Sequence, residues 1–141
     1  MEAHYRLEQF SALLCREDFD LAEACLLIAQ DAYPELEPAH YLARIDALAA
    51  TVKRRVAGDA FAQQKLVALN RYLFRDLGFH GDARDYYNPR NSYLNDVIDR
   101  RLGIRRLQLL GRYLFQHRVL DHLLVQQLRQ LQRRHRQEFD R

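Results

Sequence analysis

The chain has 141 residues, 48% apolar and 29% charged, with only 5 Gly and 3 Pro; this balance excludes a disordered chain and fits one mostly helical domain. No run of about 18 apolar residues occurs, so no membrane-spanning helix is expected, and the opening MEAHYRLEQF lacks a signal-peptide layout, which makes the cytoplasm the expected compartment. The formal net charge is +3, yet residues 99–141 alone carry +7, leaving −4 on the other 98, so the basicity belongs to the tail.

In chain order, Tyr5, Leu7, Phe10, Leu13 and Leu14 give a loose helical stripe, broken by Arg16-Glu17-Asp18. Asp20 is placed to cap a second helix, with Glu23 at its third position, before the apolar run 21–29. Pro34 ends that helix. It is apolar on most faces, which predicts a central, buried position. Pro38 suits the first turn of a third helix carrying Tyr41, Leu42, Ile45, Leu48, Ala49, Val52 and Val56, closed by Gly58. Asp59 is then expected to cap a fourth helix carrying Phe61, Leu66, Leu69, Leu73 and Leu77, with Gly78 as its stop.

From Gly78 to Ile104 the text changes to GFHGDARDYYNPRNSYLNDVIDRRLGI, with three asparagines, a proline and four tyrosine or phenylalanine rings. His80-Gly81-Asp82 reads as a turn, and Asn88-Pro89 forces an extended residue before the proline. Asn91 or Ser92 is expected to cap a short helix over Tyr93–Leu102. Beyond Arg105, Leu107, Leu110 and Leu114 start a last helical pattern, restarted at Asp121 and continued by Leu120, Leu124, Leu128 and Leu131. No alternating strand pattern exceeds a few residues. The expected fold is therefore all-α, a compact bundle of about five to seven helices with short links, with a helical region over 1–104 and a basic amphipathic tail over 105–141 packed on it.

Two readings stand for the 78–104 stretch. In one, Arg84, Asp85, Tyr86, Tyr87, Arg90, Asn91, Tyr93 and Asn95 form a polar platform that holds a ligand or a neighbouring domain. In the other they make turns and caps, with the tyrosines packed on the helices. The tail offers a second candidate, the basic patch Arg129, Arg133, Arg134 and Arg136, which could neutralise phosphates or form a solvated helical face. The leucine stripe of the tail must be covered by the first helices or by a second copy of the chain. No cofactor is called for. The six histidines show no His-x3-His spacing and there is no Cys-x2-Cys, so no metal site is predicted. Cys15 and Cys25 both fall in apolar helical patterns and are expected as packed, reduced thiols rather than nucleophiles.

LAEACLLIAQDAYPELEPAHYLARIDALA (21–49) with LNRYLFRDLGFHGDARDYYNPRNSYLNDVIDRRLGI (69–104) resembles the N-terminal part of the bacterial SirB family, with YYNPRNSYLNDVIDRR its most specific motif. The family consists of cytoplasmic proteins described as regulators of SirC expression, with a transglutaminase-like region and often tetratricopeptide-type repeats after it. In such proteins the Gly-Ile pair leads into a helix start of Pro-Ile-Ser/Thr-Leu type and then a sheet carrying the His and Asp of the site. Here Gly103-Ile104 is followed by Arg105-Arg106-Leu107-Gln108, so the resemblance implies a form without the catalytic half, whether by natural replacement, truncation or a shifted reading frame, and assigns no catalytic residue. The expected function is a non-enzymatic protein-interaction or regulatory module, whose partner is another protein or a second copy of itself. One alternative is the remnant of an acyl-transfer or hydrolase enzyme that needs a partner to supply His and Asp. Another is nucleic-acid or cyclic-dinucleotide binding by the basic C-terminal helices, because 109–132 resembles a half-repeat of the N-terminal domain of secretion ATPases, in which Gly is favoured where Arg118 stands.

Overall fold

The computed structural model describes residues 2–104 and Arg118. Five α-helices make up most of the described part: α1 (Glu2–Leu14), α2 (Leu21–Ala32), α3 (Pro38–Arg54), α4 (Ala62–Asn70) and α5 (Leu94–Arg100). A π-helical segment, Arg71–Asp76, continues α4, and a 3-10 turn, Pro89–Asn91, precedes α5. Two strands of two residues each, β1 (His80–Gly81) and β2 (Leu102–Gly103), pair in parallel, His80 with Leu102 and Gly81 with Gly103. The described residues are thus all-α apart from this one small bridge.

The core forms where α2, α3 and α5 meet. Ala22, Leu26 and Ala29 on α2 recur at helical spacing and bury against Ile45, Ala49 and Val52 of α3 and Leu94, Val97 and Ile98 of α5. Leu69, Tyr72, Leu73 and Phe79 close it from the α4 side. Helix α2 touches α1, α3 and α5, which is the central position its composition predicts, although Ile28 on its outer side is 54% exposed. Small residues on the inner face of α2 let its neighbours approach closely. Leu26, Ile45 and Val52 are almost wholly excluded from solvent.

The start of α2 follows the expected chemistry, Asp20 Oδ1 accepting the Ala22 N–H at 2.9 Å. Pro38 takes the first turn of α3, and Gly78, at φ +74°, makes the left-handed step after the π segment. Elsewhere the termini differ from the sequence expectation. Gly58 does not cap α3, which ends four residues earlier at Arg54, and its backbone is not left-handed. Asp59 does not cap α4; the helix begins at Ala62, and Gln64 Oε1 reaches back to accept the Phe61 N–H at 2.9 Å. Phe61 accordingly lies outside the helix and is 79% exposed rather than part of its apolar stripe. Neither Asn91 nor Ser92 caps α5, whose N-terminal flank is Tyr93 with no side-chain bond. The stripe on α1 buries only Leu13, while Tyr5 and Leu7 are 61% and 65% exposed.

Helix α5 is tied to the rest by charge as well as by packing. Asp99 takes the Tyr41 hydroxyl at 2.7 Å and an ion pair from Arg44, both on α3. Burial pushes the Asp99 carboxyl up, but those two contacts outweigh it and leave its pKa below the ordinary value. Arg55, just past α3, pairs with Asp76 and stacks its guanidinium over the Tyr72 ring at 4.5 Å, which fixes the π segment against the end of α3.

Candidate interaction site

The residues from His80 to Ile104 form a closed loop whose two ends are stitched by the β1–β2 bridge. His80 N–H donates to Arg101 O at 3.1 Å and Asp82 N–H to Gly103 O at 2.9 Å. Gly103 permits this closure: a Cβ there would stand 3.2 Å from Val97 Cγ2 and 3.5 Å from Asn91 O. Arg101, left-handed at φ 57°, ends α5 and sends its Nη1 to Leu77 O at 3.0 Å.

Inside the loop, polar groups are spent on one another. Asp82 Oδ1 accepts the Arg84 and Asp85 N–H groups at 3.2 and 3.1 Å, and its Oδ2 faces Arg100 at 3.5 Å. The Asp85 N–H, chiefly, holds the Asp82 carboxyl below the ordinary value against the opposing effect of burial. Asn91, wholly buried, donates Nδ2 to Asp85 O at 2.8 Å and to Tyr86 O at 3.3 Å, and its Oδ1 faces Arg100 Nη1 at 3.4 Å. Asn88 Oδ1 accepts the Arg90 N–H at 3.0 Å and so caps the 3-10 turn. Arg90 reaches Asp96 Oδ1 through both Nε and Nη2 at 3.1 Å, while Asp96 Oδ2 accepts the Tyr33 hydroxyl from the end of α2. That bond to Asp96, with burial, raises the Tyr33 pKa.

The eight platform candidates therefore separate. Asn91 and the main chain of Asp85 are internal scaffold; Arg90 is held on Asp96; Tyr93 packs edge-on against Tyr33 with ring centroids 5.7 Å apart. Arg84, Tyr86 and Tyr87 are left as an outward group, beside the exposed Asp85 carboxylate that accepts Asn88 Nδ2 at 3.0 Å; Tyr87 is 91% exposed and set at right angles to Tyr86, centroids 5.2 Å apart. Asn95 is buried and lines a cleft with Tyr33 and Tyr41 instead. Sequence reasoning missed Asp82, Asp96 and Arg100, the charged frame of the loop. Their signal was present for Asp82, which sits at a Gly-Asp turn, but Asp96 and Arg100 meet partners that only the folded loop brings near.

Cys25 is half-buried, and burial, with Asp20 beside it, raises its thiol pKa. Cys15 is exposed just past α1, contrary to the packed position expected for it, because the apolar stripe of α1 stops being covered after Leu13. Among the described residues no group of His, Cys, Asp and Glu is arranged to hold a metal, and no helix is long and apolar enough to cross a membrane. The basic patch Arg129, Arg133, Arg134 and Arg136, the tail leucine stripe, His117 and His122, and the half-repeat apart from Arg118 lie outside the described residues. Arg118 is helical where the ATPase pattern favours Gly, and its guanidinium joins Asp20 to Asp46, with Nη1 to Asp20 Oδ1 at 3.1 Å and Nε to Asp46 Oδ1 at 2.8 Å.

Residues 39–107, from the start of α3 through the closed loop, match the family described as transglutaminase-like superfamily. UPF0162 proteins from two strains of Xylella fastidiosa, Temecula1 and 9a5c, are each 41% identical over 87 residues, 62% of this chain and 31% of the relative. A UPF0162 protein of Vibrio cholerae is 37% identical over 99 residues, covering 64% of this chain and 35% of the relative. The chain thus spans about a third of the length of the curated relatives it matches. No solved structure matches significantly.

Proposed function

We propose that the chain is a non-enzymatic helical interaction or regulatory module, related to the N-terminal part of SirB-type transglutaminase-like proteins. Its docking surface for a protein partner is the outward group Arg84, Tyr86 and Tyr87. The supporting observation is the division of labour in the loop: nearly every buried polar group is satisfied internally, which leaves two adjacent tyrosine rings and an arginine on a rigid base. Tyrosine and arginine on a pre-ordered surface are the residue types that anchor protein interfaces, because they present large area with little conformational freedom to lose. The raised thiol pKa of Cys25 is the wrong direction for a nucleophile, which supports a binding role over an acyl-transfer one. The partner of choice is the portion of the longer relatives that this chain does not cover.

Calorimetry of the chain against the unmatched portion of the Xylella relative tests this. Binding is expected, and Tyr86→Ala with Tyr87→Ala, both at exposed positions, should weaken it by about tenfold or more. Absence of binding, or an affinity indifferent to those two substitutions, would refute the proposal.

A further inference from the structure

Leu13 of α1 and Ala24 of α2 are buried yet stand apart from the main core, because they are covered where α1 packs on α2. The two helices form an antiparallel hairpin: residues 15–20 join them at one end, and at the other Arg6 Nη1 donates to Gln30 O at 2.8 Å. Seen from one end, antiparallel helices turn in opposite senses, so residues displaced by the same angle from the contact line on each come to lie on one side of the pair. From Arg6 and Leu13 that displacement leads to Leu7, Phe10 and Leu14. From Ala24 it leads to Leu21 and Ile28. The hairpin therefore carries an apolar groove along one side, in which Leu7, Leu14 and Ile28 are 46–65% exposed and Phe10 and Leu21 partly buried. A continuous apolar strip of this kind marks a surface that another element covers.

Arg118 stands at the mouth of the groove, where α2 begins, with Nη1 on Asp20 Oδ1 at 3.1 Å and Nε on Asp46 Oδ1 at 2.8 Å. The sequence that follows it places Leu120, Leu124, Leu128 and Leu131 at the spacing of one helical face. A helix over 119–131 would span about 20 Å, close to the length of α2 with its 12 residues. Charge is complementary as well. Residues 1–37 hold nine Asp or Glu against Arg6 and Arg16, whereas residues 105–141 hold nine Arg against three Asp or Glu. A helix that starts at Asp20 and follows α2 brings Arg129, Arg133 and Arg134 to its far end, where Asp31, Glu35 and Glu37 are exposed.

We propose that segment 119–136 of this same chain occupies the α1–α2 groove, its leucines on the apolar strip and its arginine cluster over the acidic end of α2. The groove is a seat for a basic amphipathic helix, apolar along its floor and acidic at its ends. The chain's own tail is the occupant because Arg118 already fixes that tail at the mouth. The seat shares no residue with Arg84, Tyr86 and Tyr87, so its success or failure is independent of the loop surface.

The test is nitrogen-15 NMR of the full chain, with light scattering on the same samples. Leu7→Glu with Ile28→Glu, both at exposed positions where the fold is expected to survive, should shift the main-chain signals of 120–131 and leave those of 80–100 in place. Leu124→Asp with Leu128→Asp should shift the main-chain signals of 5–14 and 21–31, and the chain should be a monomer throughout. Tail signals indifferent to the Leu7 and Ile28 changes would overturn the proposal. So would a dimer that either pair of substitutions splits, since the occupant would then be the tail of a second copy.

Discussion

Single residues of the closed loop carry consequences out of proportion to their size. At Gly103 an added methyl group would press on Val97 Cγ2 at 3.2 Å, within the best-packed part of α5, whereas at Gly81 it would meet only Gly103 O at 3.8 Å. Gly103→Ala is therefore expected to cost about 1–3 kcal/mol in urea unfolding and Gly81→Ala little. Equal behaviour of the two would remove the crowding argument. Asp82 adds a pH dependence. Its folded pKa lies below the ordinary 3.8, so its contribution to stability is complete above that value and is lost as pH falls through the lower folded value. Asp82→Asn should accordingly flatten the fall in stability measured by urea unfolding below about pH 4. An unchanged acid limb would show that the Asp85 and Arg84 N–H groups do not hold the charge.

At the scale of elements, the interiors and starts of α2 and α3 were legible in the sequence, whereas the covered face of α1 and most other helix ends were not. Ile45, Ala49 and Val52 show their burial in a repeating pattern, and Asp20 with Pro38 announce their helix starts by chemistry that acts within three residues. Gly58 and Asp59 carry the same residue types as real caps but do not act as one, because the turn between α3 and α4 is settled by Gln64 reaching Phe61 and by Arg55 on Asp76. The 78–104 stretch shows the same limit. Its polarity was visible, yet which groups face inward depends on Arg100, Asp96 and Tyr33 arriving from other elements. Asn91→Ala separates a capping role from the observed one. It leaves the Asp85 and Tyr86 carbonyls short of a buried donor and should destabilise by about 1–3 kcal/mol. Ser92→Ala, at an exposed position with no side-chain cap to lose, should be nearly neutral in the same thermal melt. Comparable losses from both would restore the cap.

At the scale of the whole molecule, the hydrogen bond of greatest sequence separation among the described residues is the one no local pattern could announce. Arg118 lies 98 residues from Asp20, yet its guanidinium grips both oxygens of that cap and also Asp46, so one side chain fastens the start of α2 to the outer face of α3. Arg118 is 18% exposed and Asp20 32%, which places the pair between the weak surface ion pairs and the strongly coupled buried ones. The fork geometry favours the latter, since two parallel N–H bonds to one carboxylate fix orientation as well as charge. Asp20 also accepts the Ala22 N–H, so Asp20→Ala removes a helix cap and a clamp together and should cost more than the roughly 1 kcal/mol of a cap alone. Arg118→Ala removes only the clamp. A double-mutant cycle isolates the shared part, and a coupling of about 0.5–3 kcal/mol in denaturant unfolding is expected. Strict additivity of the two substitutions would mean that the clamp contributes nothing, leaving the start of α2 held by its cap and the α2–α3 packing alone.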